Sequence, residues 1–175
     1  MEWERLLSVE RLAEPEREPE AFDRYPINEF EKDYQAIVTS AAFRRLQDKT
    51  QVFPLDQSDF VRTRLTHSIE VSTVARQLGE MAVQNFRQFL GRQGALPDRA
   101  AADIPSVLMC SGLLHDLGNP PFGHFGEALI GEWFREHLDA ISYKNRSLRT
   151  WLTPQMARDL EHFEGNAQAL RILAK

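Results

Sequence analysis

The chain has 175 residues, of which 42% are hydrophobic and 27% are charged, and its formal net charge is −5. This length and composition predict one globular domain that is large enough to bury a hydrophobic core. The negative charge gives no overall electrostatic reason to bind nucleic acid or an anionic membrane. No stretch approaches the roughly 20 consecutive apolar residues that a transmembrane helix needs, so we expect no membrane partner.

The N-terminal segment and the single cysteine favour a reducing compartment. Residues 1–28 are acidic and are predicted to form an irregular leader, without the basic-then-apolar layout of a secretion signal. Cys110 cannot form an internal disulfide, and its place in an apolar run favours a buried core residue over a catalytic thiol. We therefore expect a cytoplasmic protein.

Helical periodicity begins at about Glu29 and predicts a helix that continues until Pro54 ends it. A second helix is predicted to begin near Arg64. Its expected apolar stripe consists of Val71, Val74, Leu78, Met81, Phe86 and Phe89. Residues 91–98 are predicted to form a loop, and Pro105 suits the first turn of a third helix. That helix is apolar on nearly every side, so we expect it at the centre of the domain.

Two further helices are predicted in the C-terminal part. The first runs from about Gly126 to His137, and the second begins near Thr153. The second is expected to carry Met156, Leu160, Phe163, Ala167 and Leu170 on one face. No segment shows sustained β-strand alternation, so the fold class is all-α. The last helical pattern reaches Lys175 without a capping glycine or stop signal, and residues 29–175 therefore read as a domain truncated at its C-terminus.

A candidate metal site is formed by an adjacent histidine and aspartate at the end of the most apolar helix. Burying His115 and Asp116 together is costly unless both are satisfied, and a bound cation would satisfy both. Hydrogen bonding within the core is the common alternative for either residue alone. His67, near the start of the preceding helix, supplies a plausible third ligand. Mixed imidazole and carboxylate ligands suit Mn²⁺, Fe²⁺ or Co²⁺, and Mg²⁺ less well; zinc is usually four-coordinate.

A candidate acid–base pair follows shortly after. His124 and Glu127 are three residues apart, so on a helix they lie on one face and can touch. A carboxylate bonded to a histidine fixes its tautomer and raises its pKa, which suits proton transfer. The alternative is structural, because glutamate is common in the first turn of a helix.

Four sequence blocks resemble the bacterial deoxyguanosine triphosphate triphosphohydrolases, which belong to the HD-domain superfamily. Residues 43–55 read FRRLQDKTQVFPL, and residues 61–68 read VRTRLTHS. Residues 114–127 read LHDLGNPPFGHFGE, and residues 162–168 read HFEGNAQ. The blocks occur in the family's order and cover most of the chain from residue 40 onward.

The resemblance implies an HD-domain helical bundle that hydrolyses dGTP, or several dNTPs, to the deoxynucleoside and inorganic triphosphate. It implies metal ligation by His67, His115 and Asp116, with Mn²⁺ favoured over Mg²⁺, Fe²⁺ or Co²⁺. It implies that His124 and Glu127 form the catalytic pair. The implied substrate contacts are Gln51 to the deoxyribose, Arg64 to the phosphates, and Asn119, His162 and Asn166 along the nucleotide site.

One departure concerns the family's fourth metal ligand, an aspartate well beyond the last block, which this chain does not contain. Asp139 lies before that block, in the wrong order, and is read as an ordinary helix-end residue. We therefore expect the chain alone to be a poor enzyme.

Family members suggest a homo-oligomer and a possible single-stranded DNA or dNTP effector. The rival interpretations are another HD-type nucleotide phosphohydrolase or phosphodiesterase, and a non-catalytic nucleotide-binding fragment.

Overall fold

The computed structural model describes residues 2–10, 28–49, 58, 60–90 and 96–174, and almost all regular structure in them is helical. The helices are α1 Trp3–Leu6, α2 Glu29–Thr39, α3 Ala41–Arg44, α4 Arg64–Leu90, α5 Asp98–Leu114, α6 Gly123–His137, α7 Pro154–Glu161 and α8 Gly165–Leu173. The predicted all-α class is confirmed. None of the helices in these residues combines the length and apolar character that crossing a bilayer requires.

A small hairpin and two 3₁₀ turns complete the secondary structure of the described residues. Strands β1 (Ser142–Tyr143) and β2 (Arg146–Ser147) pair antiparallel in the segment that follows α6. The sequence predicted no strand there, because two-residue strands are too short to show alternation. The 3₁₀ turns are Arg45–Asp48 and Leu148–Trp151.

Helices α4 and α5 form the central pair of the domain, and α2 packs against α5. The two central helices approach closely through small residues. A Cβ atom on Gly112 would lie only 2.6 Å from the Cα of Ser72, and the Ser72 hydroxyl donates to the Met109 carbonyl at 2.8 Å. This contact fixes how the end of α5 faces the start of α4, which is where the candidate ligands lie.

The main core cluster confirms the predicted central position of α5. It consists of Ile37, Phe43, Leu46, Cys110, Leu113 and Leu117. Leu46 and Leu113 are fully buried, and each such side chain stabilises the fold by about 1.5–3 kcal/mol. The Cys110 thiol donates to the Phe30 carbonyl at 3.2 Å. Burial raises the pKa of Cys110 to about 11, which agrees with a structural rather than a nucleophilic role.

Two predicted helices are each divided into two. The first ends at Thr39 because Ser40 is extended and its hydroxyl accepts the Phe43 backbone N–H at 3.1 Å, which starts α3. The last predicted helix likewise breaks between α7 and α8. Glu164 is extended there, and its carboxylate accepts the Ala167 N–H at 2.7 Å. At both positions a side-chain cap therefore ends one helix and starts the next, although the apolar periodicity of the sequence continues.

The start of α5 also differs from the sequence prediction. The helix begins at Asp98, directly after Pro97, so Pro105 lies inside it rather than in its first turn. Proline has a fixed φ and no N–H to leave unpaired, so Pro97 suits the position directly before a helix. Pro105, inside the helix, lies at the close contact with Gly79 of α4. Helix α6 begins at Gly123, three residues before the predicted start.

The predicted apolar stripe of α4 is largely exposed within the described residues. Val74, Leu78 and Met81 are 53%, 57% and 58% exposed, whereas Ser68 and Ser72 are buried. The apolar stripe predicted for α4 therefore does not face the core at these positions. The close contact with α5 needs small side chains, so the small-residue face of α4 is the one that packs inward.

The beginning of the predicted leader contains one helical turn. Trp3, in α1, packs beside a second core cluster of Val83, Leu96 and Ala100, and its ring lies 5.9 Å from that of Phe86. Residues 11–27 lie outside the described part of the chain.

Candidate functional site

The central helix pair brings the three predicted metal ligands together. Contacts between α4 and α5 step from Gly79 against Pro105 to Ser72 against Gly112, so the two helices run antiparallel. His67, in the first turn of α4, is consequently close to the residues that follow α5. One ligand atom from each of His67, His115 and Asp116 lies within 4.8 Å of the others. The two imidazole rings are 5.2 Å apart.

His115 is oriented by the backbone of its own helix. Its Nδ1 lies 2.8 Å from the Gly112 carbonyl, so that nitrogen carries the proton and donates it to the carbonyl oxygen. The lone pair of Nε2 then remains available, at 3.6 Å from Asp116 Oδ2. The side chain is 35% exposed, so the sequence argument from burial of the pair applies to Asp116 and not to His115.

The Asp116 carboxylate is held at both oxygens. The Asn119 side-chain amide donates to Oδ1 at 2.7 Å, and Arg64 Nη1 lies 3.1 Å from Oδ2. Despite that short ion-pair distance, Oδ2 accepts no well-directed hydrogen bond. Arg64 balances the charge of this buried oxygen without a directed hydrogen bond, so the lone pairs of Oδ2 can still bind a metal ion. Together with two imidazole nitrogens, Oδ2 forms a donor set that fits a divalent transition-metal ion.

Positive charge surrounds the ligand group. The Arg64 backbone N–H donates to the Lys49 carbonyl at 2.9 Å, and Lys49 Nζ donates to the Asn119 carbonyl at 3.0 Å. The pKa of Lys49 is lowered, first by burial and then by the nearby charges of Arg64 and Arg45. Arg64 itself is only 3% exposed, so its guanidinium lies beside Asp116 rather than at the open surface.

The second predicted pair forms a hydrogen bond across one turn of α6. His124 Nδ1 lies 2.7 Å from Glu127 Oε2, while Glu127 Oε1 accepts the backbone N–H of Gly165 at 2.7 Å. Glu127 thus bonds the His124 side chain and the start of α8, and no described side chain caps a backbone N–H at the start of α6, which disfavours the helix-cap alternative. The bond to Glu127 and the charge of that carboxylate raise the pKa of His124. The His124 side chain is 85% exposed.

Gly165 links the ligand group to the histidine–glutamate pair. A Cβ atom at this position would overlap Asn119 Oδ1 and lie 2.6 Å from Glu127 Oε1. Any larger residue at this position would require the ends of these two side chains to move. Gly165 lies in the fourth sequence block, but no role was predicted for it. The available signal was a glycine inside a predicted helix, where it is unfavourable relative to alanine.

The predicted substrate-binding residues have different positions. His162 ends α7 with Nδ1 3.1 Å from the Arg158 carbonyl, and it lines one cleft with His124 and Glu127. Asn166 is exposed, and its side chain donates to Glu164 at 2.8 Å. Gln51 lies outside the described residues. Asp139 is exposed and bonds Arg149 at 2.7 Å, away from the ligand group, as expected of a helix-end residue.

Comparison with known proteins identifies the relatives of this chain. A protein from Listeria monocytogenes named deoxyguanosinetriphosphate triphosphohydrolase-like protein is 54% identical over 177 residues, which is all of this chain and 37% of that protein. A protein of the same name from Synechocystis is 47% identical, again over the whole chain. The deoxyguanosinetriphosphate triphosphohydrolase of Serratia proteamaculans is 42% identical over 88% of the chain and 34% of its own length.

The chain therefore spans about a third of the length of these curated relatives. The family model described as HD domain matches residues 64–164. That range begins at the start of α4 and contains His67, His115, Asp116, His124 and Glu127. The match covers more than half of the chain, and it agrees with a helical fold whose ligand group joins α4 to the end of α5. The chain belongs to the HD domain family.

Proposed function

We propose that this chain carries the metal-binding and proton-transfer residues of a triphosphohydrolase that converts dGTP, or several dNTPs, to the deoxynucleoside and inorganic triphosphate. The observation that carries the proposal is the continuity of the site. The ligand group is joined through Asp116, Asn119 and Gly165 to Glu127 and His124. The names of the relatives support the choice of substrate class.

His67, His115 and Asp116 would hold one divalent ion, for which Mn²⁺ is favoured and Mg²⁺, Fe²⁺ and Co²⁺ are the other candidates. Such an ion supplies Lewis acidity and positive charge beside a phosphoryl group. The chain's own contribution is orientation. The Gly112 carbonyl fixes the His115 tautomer, and Asn119 fixes one oxygen of the Asp116 carboxylate.

His124 is the group that moves the proton. Its Nδ1 is held by Glu127, and the exposed ring leaves Nε2 accessible to an attacking water or to a leaving oxygen. Glu127 stabilises the imidazolium that forms when the ring takes up a proton. Lys49 and Arg64 place further positive charge near the ligand group, which favours a polyphosphate.

The test is product identity rather than rate. The protein would be incubated with dGTP and Mn²⁺, and the phosphate products would be separated by anion-exchange chromatography. Intact inorganic triphosphate, reduced in His124→Ala but retained in His137→Ala, is the expected result. His137 lies on the same helix, bonds the Trp133 carbonyl and serves as the matched control.

Other products would point to the rival functions. Cleavage that depends on His67 but yields no triphosphate would favour another HD-type phosphohydrolase or phosphodiesterase. Binding of dGTP without any turnover, with Mn²⁺ bound and in a protein that also supplies the family's fourth ligand, would favour a non-catalytic nucleotide-binding module.

A further inference from the structure

The most buried charge of the ligand group already has a cation beside it. Arg64 Nη1 lies 3.1 Å from Asp116 Oδ2, and the two side chains are only 4% and 8% exposed. The same oxygen is the ligand atom that lies 3.6 Å from His115 Nε2. Arg64 therefore occupies the direction from which a metal ion would meet the carboxylate.

The charges of the described residues make this pairing important. Asp116 is the one carboxylate in the ligand group, and Arg64 balances its charge. Lys49 adds a second positive group nearby, and Glu127 is bonded to His124 and Gly165. A divalent ion approaching the group as it stands would meet a carboxylate that is already neutralised.

The guanidinium has few directed contacts in the described residues. Arg64 Nε is buried without a hydrogen-bond partner, and Oδ2 accepts no well-directed bond from the side chain. By contrast, the Arg64 backbone is fixed by the bond from its N–H to Lys49. Next to the guanidinium lies Gly123, where a Cβ atom would come 3.4 Å from Arg64 Nη2. Position 123 therefore places no side chain against the guanidinium, and the bond that fixes the Arg64 backbone does not involve its side chain.

We propose that Arg64 is the resident counter-cation of Asp116, and that a divalent ion must displace it from Oδ2 in order to bind. Arg64 stabilises the metal-free fold and lowers metal affinity at the same time. Once displaced, it presents a buried-site guanidinium to an anionic ligand, so that metal binding precedes binding of the anion. This inference rests on the metal site of the proposed function but not on the identity of the substrate.

The test compares Arg64→Gln with Arg62→Gln by isothermal titration with Mn²⁺ and by thermal unfolding with EDTA or Mn²⁺. Arg62 is two residues away and pairs with exposed Glu70 at 2.9 Å, so it is the matched control. We expect Arg64→Gln to bind Mn²⁺ about tenfold more tightly, which corresponds to 1.4 kcal/mol. We also expect Arg64→Gln to unfold at a lower temperature than the unsubstituted chain in EDTA. Addition of Mn²⁺ should raise its unfolding temperature by more than that of the unsubstituted chain. Arg62→Gln should change neither property.

Weaker or unchanged Mn²⁺ binding in Arg64→Gln would overturn the inference, since Arg64 would then position Asp116 rather than compete for it. If Arg64→Gln does not fold in EDTA, saturating Mn²⁺ should restore folding, and failure to do so would also count against it. His67→Ala separates the two proposals. If His67→Ala leaves Mn²⁺ binding unchanged, the proposed metal site is wrong. If His67→Ala abolishes Mn²⁺ binding, the metal site stands, and a failed Arg64→Gln result counts only against the proposed role of Arg64.

Discussion

Asp116 and His124 lie at opposite extremes of exposure within one candidate site, with side chains that are 8% and 85% exposed. Asp116 follows the central helix α5 and is held by Asn119 and Arg64. His124 lies in the first turn of α6 and is held through its bond to Glu127. The packed core therefore positions Asp116, whereas His124 is positioned by one hydrogen bond and remains accessible. Substitutions in the two regions should therefore have separable effects.

The largest effect is expected at the buried end of the comparison. Asp116→Asn should lower Mn²⁺ affinity by more than about 100-fold, because it removes the charged ligand. It should also lower the free energy of unfolding by about 3–5 kcal/mol in EDTA, because Arg64 would remain buried without its anionic partner. Calorimetric titration and urea denaturation measure the two quantities. Asp139→Asn, at an exposed carboxylate paired with Arg149, is the control and should leave both unchanged. Equal losses in both variants would contradict the account.

At the exposed end, His124→Ala in the complete enzyme should reduce turnover by on the order of 10²-fold or more while Mn²⁺ affinity stays the same. The ring is largely exposed, so its removal leaves no cavity in the core. Steady-state assays of triphosphate release and a parallel Mn²⁺ titration give the two readouts. Near-normal turnover would show that His124 has a structural role, and lost metal binding would show that the two regions are not separable.

A smaller effect is expected from Glu127→Gln, which keeps the shape of the side chain but removes its charge. Glu127 raises the pKa of His124, so the charged pair stabilises the fold fully below the pKa of an unfolded histidine, about 6.5. That contribution is lost as the pH rises through the higher pKa of folded His124. In Glu127→Gln the pKa of His124 should fall, and the loss of turnover should be less than in His124→Ala. An NMR titration of the His124 ring measures the pKa, with exposed Glu136→Gln as the control. A pKa of His124 that stays raised in Glu127→Gln would exclude Glu127 as its cause.

The smallest effect, and the one that links the two regions, is expected at Gly165. A Cβ atom in Gly165→Ala would push α8 away from Asn119 and Glu127. We expect a loss of about 1–3 kcal/mol in the free energy of unfolding. The pKa of His124 should also fall, because Glu127 would lose the N–H that anchors it. Gln168→Ala on the same helix is the control. A stability loss without any change in the His124 titration would show that Gly165 is only a packing position.

Much of the fold could be predicted from the sequence, because strong apolar periodicity is a local property. The all-α class and the central position of the helix that ends before His115 follow from it directly. Candidate ligands could also be proposed from the sequence, since an aspartate buried after an apolar run is costly without a partner, which applies to Asp116 but not to the more exposed His115. Their closeness in space depends on the antiparallel contact of α4 with α5, which the sequence does not show.

Several features that the sequence did not predict depend on contacts between segments that are distant in the chain. The apolar stripe of α4 is exposed at Val74 and Leu78 because the close approach of Gly112 to Ser72 selects the small-residue face instead. Arg64 and Asp116 are 52 positions apart in the sequence, and no local pattern predicts that they pair. Gly165 was overlooked because its role depends on Asn119 and Glu127, which other segments supply.

In the proposed site, α4 and the segment after α5 together hold a divalent ion through two imidazoles and one carboxylate. Pulsed electron paramagnetic resonance of bound Mn²⁺ tests this arrangement most directly, because hyperfine coupling to nitrogen counts the histidine ligands. We expect coupling to two imidazole nitrogens in the unsubstituted chain and in His124→Ala, and to one in His67→Ala or His115→Ala. Absence of nitrogen coupling, or two coupled imidazoles that persist in His67→Ala, would contradict it.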